Sequence, residues 1–187
     1  MKYEPLTVGQ IKEIYAERLV NDFAPEEVKP LSRILTALSD GHYVCYGAIE
    51  EGEIVAYAFL VIDGRNAMVD YYAVREDLRG HGKGSCFIRM MTDGLRKQFD
   101  CVLFESEDPD DGKNEGDRIV RDRRIRFYLH NGLVETGVRT VVWHVHYRIL
   151  ALPVGRIPSD SEIREIYDGI YRAILPVTLH MEMVRIL

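Results

Sequence analysis

Between residues 67 and 105, a strand-like run, a glycine-rich loop, an amphipathic helix and a second strand-like run follow one another, and this order constrains the fold most. Apolar residues dominate Ala67–Val74 and Cys101–Glu105, and Phe87, Met91 and Leu95 recur at helical spacing between them. Two strands joined through a helix favour a parallel pair with a right-handed crossover. The sequence therefore predicts a parallel strand pair within an α/β fold.

Residue pairs that favour tight turns separate three strand-like runs. The third run is also the first strand of the predicted parallel pair. The runs are Tyr43–Ile49, Ile54–Ile62 and Ala67–Val74, with Glu51-Gly52 and Asp63-Gly64 between them. Such pairs suit short hairpins, so the runs predict an antiparallel meander. We therefore expect a mixed, mostly antiparallel sheet flanked by helices.

Capping motifs, helical spacing and turn pairs predict the remaining elements. Helices are expected after the Thr7/Gln10 capping box, from near Pro25 to Asp40-Gly41, up to about Phe99, over Asp117–His130 and over Ser159–Leu175. Strands are expected over Val134–Val138 and Val141–Leu152, a loop over Ser106–Gly116, and an edge strand within the tail Val177–Leu187. We predict one domain over residues 1–187, with residues 153–187 as an extra C-terminal helical extension packed on it. Covering a cleft and forming a dimer are the alternatives for the apolar stripe of its helix.

Charge and cysteine content exclude several classes of function. The formal net charge is −6, and neutralising nucleic-acid phosphates needs a basic surface, so we expect no DNA or RNA partner. The three cysteines are odd in number and form no CxxC motif, which disfavours a disulfide framework or a structural zinc. His144 and His146 share a face of a predicted strand without further ligands, so no metal site is expected. Without a signal peptide or a long apolar run, we expect a cytoplasmic protein with no membrane partner.

The loop Arg79-Gly80-His81-Gly82-Lys83-Gly84-Ser85 has the composition of an anion-binding turn. Its glycines let backbone N–H groups approach an anion, and the following helix N-terminus adds partial positive charge. The side chains of Arg79 and Lys83 add further charge. A P-loop and a Rossmann fingerprint both require other glycine spacings, so neither fits. The loop is predicted to hold a pyrophosphate, with a plain glycine-rich turn as the alternative.

A family resemblance is carried by this loop and by a second region. The loop resembles motif A of the GNAT superfamily of N-acetyltransferases, whose signature is Arg or Gln, two residues, Gly, one residue, then Gly or Ala. Arg79, Gly82 and Gly84 fill that signature. The segment Arg126–Leu133 is similar to the family's late helix, which typically ends Leu-Tyr-x-x-x-Gly-Phe.

The resemblance implies an enzyme, an acetyl-CoA-dependent N-acetyltransferase that transfers an acetyl group to a primary amine directly in a ternary complex. In this family two neighbouring strands splay apart and pantetheine pairs with the first of them. The implied acetyl-CoA contacts are Tyr72, Ala73, Val74, Arg79, Gly80, His81, Gly82, Lys83, Gly84 and Ser85, and no metal is implied.

Catalytic residues are implied in the same way. Tyr128 matches the tyrosine that protonates the departing CoA thiolate, and Glu105 falls where many members carry a glutamate proposed as general base. Asp70 is the rival base, and a half-buried helix tyrosine and an exposed strand carboxylate are the structural alternatives. The family often has an asparagine seven residues before the tyrosine, where this chain has Arg121, so that pantetheine contact is not carried over.

Two other functions stay open beside the small-molecule N-acetyltransferase. One is a non-catalytic acyl-CoA-binding sensor built on the same fold, and the other is an enzyme acting on a peptide N-terminus or a lysine. The acceptor is accordingly expected to be an amine-bearing small molecule or a peptide. A homodimer is also left open.

Overall fold

A single sheet of eight strands, in the order β1-β2-β3-β4-β5-β7-β6-β8, runs through the computed structural model, which describes residues 1–25 and 27–187. The strands are β1 Lys2–Pro5, β2 Tyr43–Glu50, β3 Glu53–Asp63, β4 Asn66–Val74, β5 Cys101–Glu107, β6 Val134–Val142, β7 Val145–Leu152 and β8 Val184–Ile186. The helices are α1 Val8–Ile14, α2 Val20–Asp22, α3 Leu31–Ser39, α4 Lys83–Leu95, α5 Glu115–His130, α6 Asp160–Ile174 and α7 Val177–Met183. A π-helical segment, Tyr15–Leu19, joins α1 to α2.

The pairing of the strands confirms the predicted mixed sheet. Strands β2, β3 and β4 form the expected antiparallel meander. Strands β4 and β5 are parallel, from Asn66↔Cys101 to Val69↔Phe104, and α4 forms the crossover between them. The other strand pairs are antiparallel.

Helices cover both faces of the sheet, so the protein has two apolar cores. The face covered by α1, α3 and α6 buries Ile11, Ile34, Tyr57, Phe59, Ile163 and Ile170. The face covered by α4 and α5 buries Ala58, Leu60, Phe87, Met91, Phe104 and Tyr128. Among the described helices, none has both the length and the apolar composition needed to cross a bilayer.

The second helix begins later than the sequence predicted. It starts at Leu31 rather than near Pro25, and Pro30 is its N-cap residue with an extended ψ of 136°. The ring of Pro30 disfavours helical backbone at the residue before it, so Lys29 lies outside the helix. Glu26, which the prediction included, lies outside the described residues.

Two further boundaries differ from the sequence-based expectation. The predicted loop over Ser106–Gly116 is shorter, because β5 continues to Glu107 and Asn114 caps α5 at its start. The break between β6 and β7 falls at Trp143 and His144, both with positive φ, so His144 lies in a turn and not on a strand.

The tail is largely helical, and β8 is the edge strand that the sequence predicted within it. Pro176 precedes the first residue of α7, where its missing N–H costs no helical hydrogen bond. Only Val184–Ile186 pairs with the sheet, antiparallel to β6.

Candidate active site

Strands β4 and β5 part after a short parallel stretch, and we call the resulting gap the fork. Their last paired residues are Val69 and Phe104. Beyond them β4 stays paired with β3 through Val74, and β5 stays paired with β7 through Glu107. The β3–β4 register skips Asp70, and such a bulge bends the strand away from its neighbour. The outer edge of β4 therefore has no partner strand beyond Val69 within the described part of the chain.

The glycine-rich loop after β4 leaves a row of backbone N–H groups free. Gly80 and Gly82 have φ of 79° and 76°, and Gly82 caps α4 without a side-chain hydrogen bond. No described residue accepts a hydrogen bond from the N–H groups of residues 80 to 85. Consecutive free N–H groups at a helix N-terminus form an anion-binding site. The loop therefore fits the pyrophosphate that the sequence predicted for it.

The charged side chains of this loop already have partners. The Nη2 atom of Arg79 lies 2.6 Å from Asp22 Oδ1, and its Nε donates to the carbonyl oxygen of Val74 at 3.0 Å. The Nζ atom of Lys83 lies 2.5 Å from Glu50 Oε2. Carboxylates thus offset both cations, and the backbone N–H groups are the main feature of the loop that suits an anion.

A close approach between the end of β4 and the start of α4 fixes the position of the loop. The Tyr72 hydroxyl donates to the carbonyl oxygen of Gly84 at 2.8 Å, and the Tyr72 ring stacks on Phe87 with centroids 5.6 Å apart. A Cβ atom at Gly84 would lie 3.1 Å from Phe127 Cζ and 3.3 Å from Val74 Cγ2. Glycine at position 84 therefore allows the loop to lie against the fork.

Tyr128 lies beside the fork on the face covered by α4 and α5. Its ring centroid is 5.2 Å from that of Phe104 on β5 and 6.3 Å from that of Tyr72 on β4. Burial raises the pKa of Tyr128 above its ordinary value, so the hydroxyl keeps its proton. No hydrogen bond to this hydroxyl occurs within the described residues.

Glu105 lies on the opposite face, where it contacts α6. Two tyrosine hydroxyls donate to its carboxylate: Tyr171, at 2.9 Å from Oε1, and Tyr167, which also contacts Oε1. Thr140 Oγ1 lies 3.0 Å from the Tyr167 hydroxyl. Burial raises the pKa of Glu105, and the two hydroxyl donors oppose that rise because they stabilise the charged form.

Asp70 lies on the same face as Glu105 and already holds a cation. The Nζ atom of Lys29 is 2.5 Å from Asp70 Oδ1, and the Tyr43 hydroxyl donates to Asp70 Oδ2. The Asp70 side chain is only 9% exposed. Both carboxylates that sequence reasoning weighed as the base thus follow the last paired residues of the fork, one on each strand.

Sequence reasoning missed four polar partners of these carboxylates: Lys29, Tyr43, Tyr167 and Tyr171. Tyr167 and Tyr171 belong to the apolar stripe of α6, where helical spacing indicates burial of the rings but not the partners of the hydroxyls. Lys29 follows the turn after α2, and nothing in its neighbourhood in the sequence indicates a contact with β4.

Arg121 on α5 is buried and paired with carboxylates. Its Nη2 atom lies 3.1 Å from carboxylate oxygens of both Glu107 and Asp117, and its Nη1 donates to the carbonyl oxygen of Asp108. Arg121 therefore connects α5 to the end of β5.

In the part of the chain that the structure describes, no cluster of three or more potential metal ligands occurs.

Residues 9–112 match the family model described as the acetyltransferase (GNAT) family. The match covers more than half of the chain, so the chain belongs to the GNAT family, as its sequence predicted. It is thereby placed among the acetyl-CoA-dependent acetyltransferases. No curated protein sequence matches the chain.

One solved structure of similar fold is a putative acetyltransferase of the GNAT family from Bacteroides thetaiotaomicron. It has 18% sequence identity and a TM-score of 0.72, over 91% of this chain and 96% of that one. The ribosomal-protein-S18-alanine N-acetyltransferase from Escherichia coli has 18% identity and a TM-score of 0.59, over 85% and 97%. A GNAT-family acetyltransferase from Elizabethkingia anophelis with acetyl-CoA bound has 14% identity and a TM-score of 0.55, over 81% and 96%. At these identities the likeness shows the fold alone.

Proposed function

We propose that the protein is an N-acetyltransferase that transfers the acetyl group of acetyl-CoA directly to a primary amine at the fork. The observation that carries the proposal is the placement of Tyr128 and Glu105. They approach the end of the β4–β5 pairing from opposite faces of the sheet. An acid on one face and a base on the other suit a reaction in which a nucleophile enters from one side and a leaving group departs on the other.

The loop and the open edge of β4 are the proposed binding surface for acetyl-CoA. The free N–H groups of residues 80 to 85 would hold its pyrophosphate, together with Arg79. The backbone of Tyr72, Ala73 and Val74 would pair with its pantetheine. Acetyl-CoA supplies an acetyl thioester at the fork. The relative solved with acetyl-CoA bound has the same fold and supports this assignment.

Glu105 would accept the proton that an alkylammonium must lose before its nitrogen can attack. An alkylammonium titrates near pH ~10, so most of the amine is protonated at neutral pH. The raised pKa of Glu105 brings this carboxylate nearer to the range in which a general base is effective. Tyr128 would donate its proton to the sulfur as the bond between the acetyl carbon and sulfur breaks and the new carbon–nitrogen bond forms.

The C-terminal extension would belong to this machinery, and we treat residues 1–187 as one domain for that reason. Its helix α6 supplies both hydroxyls that donate to Glu105. We propose an amine-bearing small molecule or a peptide as acceptor. The similar E. coli structure is an enzyme named for alanine acetylation of a ribosomal protein, which supports a peptide as one of the two.

The proposal is tested by incubating the full chain and acetyl-CoA with a panel of primary amines and short peptides. Release of free thiol and the mass of the N-acetylated product are both measured. At least one amine is expected to give product with wild type, and Tyr128→Phe is expected to lower the rate at which that product forms. Tight binding of acetyl-CoA without product from any amine would favour the non-catalytic sensor instead.

A further inference from the structure

An amino group of the chain itself lies on the face of the fork that carries Asp70 and Glu105. It is the ε-amino group of Lys29, whose Nζ atom lies 2.5 Å from Asp70 Oδ1. The Lys29 side chain keeps 34% of its surface exposed, whereas the carboxylate it contacts is 9% exposed. Lys29 therefore reaches from solvent into a largely buried acidic site.

Contacts with β4 hold the backbone of Lys29 over the fork. The Tyr71 hydroxyl accepts a hydrogen bond from the Lys29 backbone N–H at 2.9 Å and donates to the carbonyl oxygen of Glu27 at 2.8 Å. The Nζ atom lies 5.5 Å from the centroid of the Tyr71 ring, within range of a cation–π contact. Phe23 packs edge-on against the same ring, with centroids 4.9 Å apart. One tyrosine thus fixes both the backbone and the ammonium of this residue.

The ammonium lies where the two strands separate. Asp70 directly follows Val69, the last β4 residue paired with β5, and Glu105 directly follows Phe104, its partner. The acceptor nitrogen of the proposed reaction must also lie here, between a carboxylate base and the thioester. Lys29 therefore presents a primary amine of the required class, on a flexible chain of methylene groups, beside a carboxylate that can take its proton.

We infer that Lys29 is a self-acetylation site, modified by the acetyl-CoA bound to its own chain; this inference rests on the proposed function. In the step, the Lys29 ammonium gives a proton to a carboxylate of the fork, and the neutral nitrogen forms a bond to the acetyl carbon. The bond from that carbon to sulfur breaks, and the CoA thiolate takes a proton from Tyr128. The second proton that the nitrogen loses on becoming an amide passes through solvent to the tyrosinate, which restores Tyr128. The products are an ε-N-acetyl-lysine and free CoA, so no oxidant or further reactant is needed.

Self-acetylation changes the site in a defined way. The amide carries no charge, so its ion pair with Asp70 is lost and the carboxylate is left to bind another cation. Before modification, an acceptor must displace the Lys29 ammonium from Asp70.

The test uses the full chain and acetyl-CoA with no added amine. The intact mass and the acetylated peptides are recorded before addition of acetyl-CoA and at intervals afterwards, at several protein concentrations. Lys97, an exposed lysine after α4, is the internal control for chemical acetylation. Lys29→Arg keeps the positive charge but has no acceptor amine, and Tyr128→Phe lacks the proposed acid. The thermal shift with acetyl-CoA shows that each variant is folded and binds it.

Acetylation of Lys29 is expected to be at least about 10-fold faster than that of Lys97, because a held nucleophile reacts at a high effective concentration. The rate constant should not depend on protein concentration, and Tyr128→Phe should lower it. Purified wild type already acetylated at Lys29, with Tyr128→Phe unmodified there, would also support the inference. Equal rates at Lys29 and Lys97, or a rate proportional to protein concentration, would overturn it. If panel amines are acetylated while Lys29 is not, this inference fails and the proposed function stands; if neither is acetylated, both fail.

Discussion

Replacing Tyr171 by phenylalanine removes one of the two hydroxyls that donate to the Glu105 carboxylate, at 2.9 Å from Oε1 and 3.1 Å from Oε2. A hydrogen bond to a charged group contributes about 1.5–3 kcal/mol. Tyr167 remains as a donor, so the lower end of that range applies, and about 1.4 kcal/mol corresponds to a factor of about 10 in a protonation equilibrium. The lost donor stabilised the charged form, so its removal raises the pKa of Glu105 further.

The measurement is kcat/KM as a function of pH with the amine that the panel identifies. The rate is read from the release of free thiol. A base must be deprotonated to act, so the acidic limb should move to higher pH by about one unit, and kcat/KM at a fixed pH on that limb should fall about tenfold. Tyr46→Phe is the matched control, because its hydroxyl donates to Gln98 at 2.8 Å, away from both carboxylates. A limb that stays in place with Tyr171→Phe would mean that the ionisation of the amine sets it, and the role given to Glu105 would be refuted.

Three further changes test the acid, the choice of base and the packing. Tyr128→Phe should lower kcat by about 10²-fold with little change in acetyl-CoA affinity, and a kcat within a factor of about two would assign the acid to another group. Glu105→Gln should lower kcat/KM steeply at neutral pH, with partial recovery at high pH as free amine accumulates. Asp70→Asn should lower kcat/KM less. The reverse order would move the role of base to Asp70. Gly94→Ala would bring a Cβ atom into the Tyr3 ring, so urea unfolding should show a loss of about 1–3 kcal/mol, and no loss would mean that the ring moves aside.

Much of the fold could be predicted because its signals are local. Apolar runs and turn pairs identified the meander, and the strand–loop–helix–strand order identified the parallel pair. The capping box of Thr7 with Gln10 forms as predicted, and Ser159 with Glu162 forms a second one at the start of α6, because each is a contact between residues three positions apart. The glycine-rich loop was equally clear, since free N–H groups and positive φ depend on the loop residues themselves.

Most of the polar contacts around the candidate base could not be predicted, because their partners are distant in the sequence. Glu105 contacts Tyr167 and Tyr171 across 62 and 66 residues, and Lys29 contacts Asp70 across 41. An apolar stripe predicts that a tyrosine ring is buried, but only the tertiary structure determines what its hydroxyl meets. The burial of Arg121 was unpredictable for the same reason, because Glu107 at the end of β5 supplies a carboxylate that allows it.

Binding of acetyl-CoA by the loop between β4 and α4 is the central claim, and a thermal-shift comparison of two glycine variants tests it most directly. Gly82→Glu places bulk and negative charge among the free N–H groups, at a φ of 76°. Gly64→Glu places the same side chain at a φ of 58° in the turn at the opposite end of β4, and an added Cβ at either glycine meets no atom within 4 Å. At about 100 times its Kd, acetyl-CoA should stabilise wild type and Gly64→Glu by about 2.7 kcal/mol, a rise in Tm of about 5–10 °C. Gly82→Glu should fold and show no such rise; a rise equal to that of wild type would contradict the account.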